Sequence, residues 1–301
     1  MKYLPSTKQL QYLTALAQTK HFSKAADLCN VTQSTLSAGI KELEIIFGVA
    51  LAERTKRSVI MTPIGKKIAE HAEKLILDAE QMMALTAADQ GPLTSKLQLG
   101  VIPTIAPYLL PKLLPKIRSN YPHLELALRE TQTDVLVEEV LNGKIDIALL
   151  ALPASDHKLV EKPLFEDPFL LLAPSNHPII KQKTIDASTL MGEQLLLLEE
   201  GHCFRDQAIE FCTRQGVTDG FGTLGATSLA TVSQMVAANF GLTLLPQMAL
   251  DKEVGSNKSL AVRPFKSPQP TRTIGLIWRK TTPRLADFES LAQVIKSTQV
   301  I

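Results

Sequence analysis

From residue 96 onward, short apolar runs alternate with segments whose apolar residues recur every three or four positions. The short runs predict strands, and the segments with the longer repeat predict helices. The predicted strands are residues 97–102, 124–128, 145–150, 169–173, 194–198, 241–245 and 273–278. This alternation is typical of an α/β fold with largely parallel sheets. We therefore expect the C-terminal region to be an α/β domain.

Two passages punctuated by prolines, residues 163–168 and 264–270, indicate that the chain crosses between two lobes. We expect lobe I to contain residues 92–165 and 270–301, and lobe II to contain residues 166–269. In open α/β sheets, ligands bind where strands end and helices begin. The ends of the predicted strands are therefore the places to look for a site.

Three hydroxyl residues stand at such strand and helix ends. They are Thr104, after the first predicted strand, Thr133, just before a helix, and Ser228, at the start of another helix. The simplest interpretation is that each one caps the N-terminus of a helix. The alternative is that the three hydroxyls line one cleft.

Two of the three cysteines, Cys203 and Cys212, lie close together in the sequence. His202 and Arg205 flank the first of them, and positive charge beside a thiol favours the nucleophilic thiolate. From residue 206 the apolar spacing predicts a helix. Cys203 would then lie at the positive N-terminal end of that helix, and Cys212 would face the core.

The predicted helix and a bond between these two cysteines exclude each other. Nine helical residues span about 13.5 Å, whereas the Cα atoms of a disulfide lie within roughly 7 Å. Oxidation of Cys203 and Cys212 would therefore drive a switch between two structures. The alternative is two unrelated thiols, because a free cysteine often behaves as a small apolar residue.

The first 61 residues predict a helix-turn-helix followed by a β-wing. We expect Ser23 to cap a short helix and Thr32 to cap the next one, which runs to Phe47. The segment has eight basic and four acidic side chains, whereas the whole chain has a net charge of only +2. Such a basic end favours nucleic acid as a partner. The alternative is an ordinary three-helix domain. The candidate DNA-contacting residues are Gln33, Ser34, Thr35, Ser37, Lys41, Arg54, Lys56 and Arg57.

Residues 62–91 predict one long helix that connects the two regions. Thr62 is a good cap, and Pro63 suits the first helical position. Apolar side chains recur at nearly the 3.5-residue period of a coiled coil, at Ile64, Ile68, Ala72, Leu75, Ala79, Met82 and Thr86. We therefore expect a homodimer through this helix. The alternative is that the helix packs against its own C-terminal domain.

The N-terminal motifs resemble the DNA-binding domain of LysR-type transcriptional regulators. The matching segments are residues 22–26, 31–37, 40–44, 47–49, 51, 53–54 and 62–65. Ser34 departs from the pattern, because most of the family has proline there. The resemblance implies a winged helix-turn-helix in residues 1–61, a linker helix in 62–91, and a periplasmic-binding-protein-like effector domain of two lobes in 92–301.

The C-terminal motifs resemble the hydrogen-peroxide-sensing activators of that family. The matching segments are residues 100–111, 130–133, 198–203, 205–208, 211–212, 226–229 and 272–276. The resemblance implies that Cys203 reacts with peroxide and that Cys212 resolves the product. The other residues that we assign to a peroxide pocket are Thr104, Thr133, His202, Arg205, Asp206, Ser228 and Arg272. Gly225 departs from the pattern, because a basic residue is often found there.

The partners implied are double-stranded DNA with a palindromic operator, hydrogen peroxide, cellular thiol reductants and RNA polymerase. We expect a homodimer that pairs into a homotetramer, with no cofactor, no metal and no enzymatic turnover. The alternatives are a LysR-type regulator that answers a small organic effector, and a thiol peroxidase. Because the chain has no apolar run of membrane length and no apolar signal core, we expect it in the cytoplasm.

Overall fold

The computed structural model describes residues 3–54, 59–87 and 91–299. The chain divides into two compact units, Met1–Asp89 and Gln90–Ile301. None of the helices in the described ranges combines the length and the apolar character that a membrane crossing needs.

The first unit is a winged helix-turn-helix followed by a long helix. Its elements are α1 (Thr7–Thr19), α2 (Phe22–Leu28), α3 (Gln33–Phe47), β1 (Ala52–Arg54), β2 (Val59–Met61) and α4 (Pro63–Ala87). Strands β1 and β2 pair antiparallel and form the predicted wing. The side chain of Thr32 accepts a hydrogen bond from the backbone N–H of Thr35, which confirms the predicted cap of α3.

The predicted cap at Ser23 is wrong. Helix α2 already begins at Phe22, after an extended residue at His21, so Ser23 lies inside the first turn. Its hydroxyl instead donates to Gln33 Oε1 at 2.8 Å, which ties α2 to the start of α3. Serine side chains compete for such local partners, and sequence alone does not decide which partner wins.

The apolar stripe of α4 divides into two parts. Ala69 and Ala72 are buried in the core of the first unit, where α4 packs against α1. Leu75 and Met82 are 57% and 65% exposed. The 25 described residues of this helix span about 37 Å. Some residues of the predicted coiled-coil seam therefore pack inside the first unit. The exposed residues of the seam are available for contact with another surface.

The second unit contains two sheets that share one long strand. The strands of lobe I lie in the order β4 (Leu126–Glu130), β3 (Leu97–Val101), β5 (Ile147–Leu152), β11 (Thr271–Arg279) and β6 (Leu159–Pro174). Strand β3 runs parallel to β4 and β5, whereas β11 runs antiparallel to β5 and β6. Its elements are β3 (Leu97–Val101), α5 (Ala106–Asn120), β4 (Leu126–Glu130), α6 (Thr133–Leu141), β5 (Ile147–Leu152), the first part of β6 (Leu159–Pro174), β11 (Thr271–Arg279) and α10 (Leu285–Gln299).

Lobe II is built around the second part of β6. Strands β9 and β10 pair antiparallel with β6, and β7 pairs parallel with β8. A bridge between Leu195 and Leu242 connects β7 to the start of β9. The elements are β7 (Leu195–Leu198), α7 (Cys203–Arg214), β8 (Phe221–Ala226), α8 (Leu229–Ala237), β9 (Thr243–Pro246), α9 (Leu250–Glu253) and β10 (Leu260–Pro264). Short 3-10 helices span Pro178–Lys181, Ala187–Leu190 and Gln247–Ala249.

The prediction of largely parallel sheets is only partly right. Strand β6 crosses from one lobe to the other without a break and pairs antiparallel on both sides of the crossing. It carries Pro163 and Pro168, and its register with β11 shifts between Ile274 and Gly275, opposite Pro163. A bulge of this kind accommodates a residue that has no N–H to donate. Pro163 and Pro168, which helped to indicate a crossing, therefore lie inside a strand, whereas Pro268 and Pro270 lie between β10 (Leu260–Pro264) and β11 (Thr271–Arg279).

Each lobe has its own hydrophobic core. The lobe I core gathers residues of β3, β5, α5 and α10 around Trp278 and Phe288. The lobe II core gathers β7, α7, α8 and β9 around Phe169 and Phe204. Two cores joined by crossing strands allow one lobe to move relative to the other without unfolding either.

We expect Gly65→Ala to destabilise the first unit by about 1–3 kcal/mol. A Cβ at Gly65 would overlap the carbonyl oxygen of Leu51, which the backbone N–H and the hydroxyl of Thr62 both contact. Thermal unfolding of the full chain measures the change. The exposed neighbour Lys66 provides the control, because Lys66→Ala is expected to change stability by less than about 0.5 kcal/mol. Equal stability of the two variants would contradict the assignment of this close approach.

Candidate functional site

Helix α7 begins at Cys203, three residues before the predicted start. Gly201 has a left-handed backbone (φ +90°), and His202 is extended and occupies the N-cap position. These two conformations turn the chain from β7 into the helix. Cys203 is therefore the first residue of a 12-residue helix and lies at the positive end of the helix dipole.

The two cysteines of this helix belong to different cores. Cys203 is half-buried and packs against the lobe I core, whereas Cys212 is buried within the lobe II core. Burial raises the pKa of the Cys212 thiol to about 11, so this group is protonated at neutral pH. Both thiols are free, and the helix between them is intact, so they are about 13.5 Å apart along its axis.

A buried ion pair lies beside the start of α7. Arg272 on β11 is 2% exposed and stands opposite Asp167 on β6 in the antiparallel register. Its Nε and Nη2 atoms lie 3.0 and 2.9 Å from Asp167 Oδ2. Its Nη1 and Nη2 donate to the hydroxyl and carbonyl oxygens of Thr104 at 2.8 and 3.0 Å. The guanidinium lies 5.2 Å from the ring centre of Phe204, the residue after Cys203.

Two of the three predicted hydroxyls are not helix caps. Thr104 precedes the N-cap of α5, and its hydroxyl accepts from Arg272 while its own proton has no acceptor among the described residues. Thr133 is the first residue of α6, after the N-cap Gln132. Its Oγ1 atom is buried without a hydrogen-bond partner among the described residues. Because a buried hydroxyl without a partner is costly, both groups are suited to a small polar ligand.

His202 and Arg205 differ from their sequence interpretation in charge. His202 is 7% exposed, and burial lowers the pKa of its imidazole, with a smaller opposing effect of Glu199. The imidazole is therefore neutral at pH 7 rather than cationic. The guanidinium of Arg205 lies 3.4 Å from the carboxylate of Glu200, so its charge is partly neutralised. Asp206 is exposed in the first turn of α7.

Ser228 lies in a cleft between the lobes, apart from the other two hydroxyls. It is the N-cap of α8 and accepts from the backbone N–H of Thr231 at 3.2 Å. The cleft has a volume of about 490 Å³, and its walls include His202, Gln132 and Tyr108. Thr104 and Thr133 are not among its lining residues. The alternative interpretation, in which the three hydroxyls line one cleft, therefore does not describe this cleft.

Sequence reasoning missed several polar groups near this region. Asp167, the partner of Arg272, was not predicted, because nothing in a local pattern marks a buried carboxylate. Gln207 has a buried Oε1 atom without a partner among the described residues. It stands four residues after Cys203 on the same helix, a spacing that places two side chains on one face. That spacing is the signal that would have identified Gln207.

The predicted DNA-contacting residues of α3 are accessible. Gln33, Ser34, Thr35 and Lys41 are exposed, and Ser37 is half-buried. Arg54 ends β1, but its side chain lies outside the described part of the structure, as do Lys56 and Arg57 entirely. The first turn of α3 thus presents short polar side chains, of the kind that read the major groove.

Comparison with known protein families covers nearly the whole chain. Residues 7–66 match the bacterial regulatory helix-turn-helix protein, lysR family, and residues 90–299 match the LysR substrate binding domain. These matches confirm the predicted winged helix-turn-helix and two-lobed α/β effector domain.

Individual relatives are similar over the same length. The DNA-binding transcriptional dual regulator OxyR of Escherichia coli K12 is 39% identical over 290 residues, which cover 96% of this chain and 94% of that protein. A hydrogen peroxide-inducible genes activator from Haemophilus influenzae is 36% identical over 288 residues, which cover 96% and 95%.

Solved structures give the same result. A full-length OxyR variant from Pseudomonas aeruginosa matches with a TM-score of 0.80 and 37% identity, over 98% of this chain and 95% of that one. An H2O2-bound OxyR mutant from Corynebacterium glutamicum matches with a TM-score of 0.69 and 35% identity, over 99% and 94%. The chain therefore belongs to the LysR family of transcriptional regulators and, within that family, is a close relative of the OxyR proteins.

Proposed function

We propose that this protein is a DNA-binding transcriptional activator that senses hydrogen peroxide through a reversible bond between Cys203 and Cys212. Its similarity to OxyR proteins supports this function. The observation that carries the proposal is the placement of the two thiols on one helix but in two different cores. A bond between them requires a change in structure, and such a change is what a sensor needs.

The first chemical step is attack of the Cys203 thiolate on one oxygen of the peroxide. The O–O bond breaks, the sulfur loses two electrons and becomes a sulfenic acid, and the departing hydroxide takes up a proton to form water. Thr133 and Thr104 offer hydroxyls to the oxidant. Arg272, whose charge is balanced by Asp167, holds the hydroxyl of Thr104 in place. His202 contributes as a neutral hydrogen-bonding group.

The second step joins the two sulfurs. The Cys212 sulfur attacks the sulfenic sulfur, water is released, and a disulfide forms. Because α7 holds the two residues about 13.5 Å apart, this helix must unwind and Cys212 must leave the lobe II core. Cellular thiols then reduce the bond by thiol–disulfide exchange and restore the helix. One peroxide serves one switching event, so the protein acts as a regulator rather than as an enzyme.

The proposal also covers the domains of the chain and the oligomer that binds DNA. Residues 1–61 would bind a palindromic operator, residues 62–91 would form the dimer, and residues 92–301 would sense peroxide, with lobes bounded as the sequence predicts. The exposed Leu75 and Met82 on α4 support a dimer through that helix. We also propose pairing of dimers into a homotetramer, contact with RNA polymerase, and a location in the cytoplasm.

Substitution of each cysteine separates the roles of the three thiols. Cys203→Ser is expected to abolish peroxide-induced transcription. Cys212→Ser is expected to prevent the disulfide while Cys203 still becomes a sulfenic acid, which peptide mass mapping detects. Cys29 is the matched control, because it is a half-buried thiol of the first unit, and Cys29→Ser is expected to leave induction unchanged. Normal induction in Cys203→Ser would refute the proposed function.

Oxidation is expected to unwind α7. We expect backbone amides of Cys203–Arg214 to exchange faster with deuterium after peroxide treatment, because the disulfide and the helix exclude each other. Hydrogen exchange with mass spectrometry measures this, and α5 of lobe I serves as the internal control. A verified Cys203–Cys212 disulfide with unchanged protection of α7 would contradict the switch.

Lys41 tests the DNA-reading surface. We expect Lys41→Ala to weaken operator binding and to reduce the slope of log affinity against log salt by about 0.9 per subunit, as loss of one phosphate contact would. Titrations of fluorescent operator DNA at several salt concentrations give the slope. Lys183→Ala, at an exposed lysine of lobe II, is expected to keep the slope of the unmodified protein. Equal slopes for both variants would exclude Lys41 from the interface.

A further inference from the structure

A glutamine of lobe I reaches the turn that precedes Cys203. The Nε2 atom of Gln132 donates to the carbonyl oxygen of Glu200 at 3.4 Å. A Cβ built at Gly201 would lie only 2.5 Å from Gln132 Oε1, so the amide group packs directly against this glycine. Gln132 is the N-cap residue of α6, but its side chain makes no capping hydrogen bond. The side chain is therefore directed to the turn rather than to its own helix.

This turn is held from both lobes. On the lobe II side, the backbone N–H of Glu199 donates to the carbonyl of Ala226 on β8 at 3.1 Å. On the lobe I side, the amide of Gln132 contacts Glu200 and Gly201. Gly201 has φ +90°, a conformation that other residues rarely adopt, and the close approach of the amide leaves no room for a side chain. The position of the turn is thus fixed within a narrow range.

Gln132 also adjoins a proposed ligand of the oxidant. The next residue is Thr133, whose Oγ1 atom is buried without a partner among the described residues. One short segment of lobe I therefore carries both the hydroxyl that we assign to the oxidant and the amide that contacts the turn before the nucleophile. Peroxide attack needs the sulfur and both oxygens in line, and a misplacement of about 1 Å can slow such a reaction strongly.

We propose that Gln132 is a positioning residue for the reaction of Cys203 with peroxide. Its amide holds the turn at Glu200 and Gly201, so that the Cys203 sulfur faces the hydroxyl of Thr133. This role rests on the proposed function, because it concerns the same reaction. It does not require Gln132 to touch the oxidant, and it differs from a general role in keeping the lobes together.

Tyr108 provides the control for such a general role. Its hydroxyl donates to Glu253 Oε1 at 2.8 Å, and Lys252 Nζ lies 5.9 Å from its ring centre. This contact also joins lobe I to lobe II, but it ends on α9 rather than on the turn before Cys203. Tyr108→Phe therefore removes an inter-lobe hydrogen bond without disturbing the contact of Gln132.

The test compares two reagents on the full chain carrying Cys212→Ser, in which oxidation stops at the sulfenic acid. Peroxide requires an aligned nucleophile, whereas iodoacetamide requires only an accessible thiolate. Gln132→Ala removes the amide, and Gln132→Glu keeps its length but loses the N–H that donates to Glu200. We expect both variants to lower the rate constant with peroxide by about tenfold or more and to change iodoacetamide alkylation by less than about twofold. Tyr108→Phe is expected to change neither rate by more than about twofold.

The other outcomes would overturn the inference. Unchanged peroxide rates in both Gln132 variants would show that the amide has no part in positioning. Equal losses with both reagents would show that Gln132 only maintains the thiolate or its accessibility. A similar loss in Tyr108→Phe would assign the effect to lobe contact in general. If Cys203 is alkylated in the Cys212→Ser chain without a second substitution but never forms a sulfenic acid with peroxide there, the proposed function itself fails. Thermal unfolding identifies a variant that is merely unfolded, and Gln132→Glu then decides the question.

Discussion

The buried pair of Arg272 and Asp167 lies where the chain crosses between the lobes, and the arrangement around Cys203 depends on it. The two residues face each other on β11 and β6, the strands that run through the crossing. Placing a charged pair out of water is expensive, and removing one partner of such a pair typically costs about 3–5 kcal/mol. Here Asp167 also accepts from the backbone N–H of Met248, and Arg272 donates to Thr104, so both charges have several partners.

The pair of Arg272 and Asp167 connects the strands at the lobe crossing to the residues around Cys203. Arg272 fixes Thr104 at the end of β3 and lies against Phe204, which in turn packs edge-on against Phe169 at a centroid distance of 5.0 Å. The first turn of α7 is therefore anchored to both β6 and β11. Asp167 balances the charge of Arg272, and Glu200 pairs with Arg205, so the fixed partial positive charge next to Cys203 is that of the N-terminal end of α7. A helix dipole needs no rearrangement when negative charge develops beside it.

The sequence identified the elements with strong local signals and missed those defined by partners far along the chain. Apolar runs located β3, β7 and β11. The spacing of Cys203 and Cys212 and the basic neighbours of Cys203 drew attention to the cysteine pair, and the resemblance to a known family assigned the two thiols their roles. Strand β8 was missed because Phe221–Ala226 contains glycine and little continuous apolar character. The antiparallel pairing of β6 with its neighbours was not predicted, because the relative direction of these strands depends on how β6 crosses from one lobe to the other. Hydroxyls at helix starts suggested caps, but Thr104 and Thr133 are committed to other environments. The buried pair of Arg272 and Asp167 and the contact of the Gln132 amide leave no local pattern in the sequence. In both cases the partner residue lies more than 60 positions away along the chain.

In the proposed switch, the placement of Cys212 in the lobe II core means that the reduction potential of the Cys203–Cys212 pair includes part of the folding free energy of that lobe. For a two-electron couple, about 1.4 kcal/mol corresponds to roughly 30 mV. Any substitution that strengthens the packing of α7 would therefore make the disulfide easier to reduce, and any that weakens it would let the oxidised form persist longer. Evolution can in this way set the threshold of the response through core side chains, while both sulfurs and their surroundings stay the same.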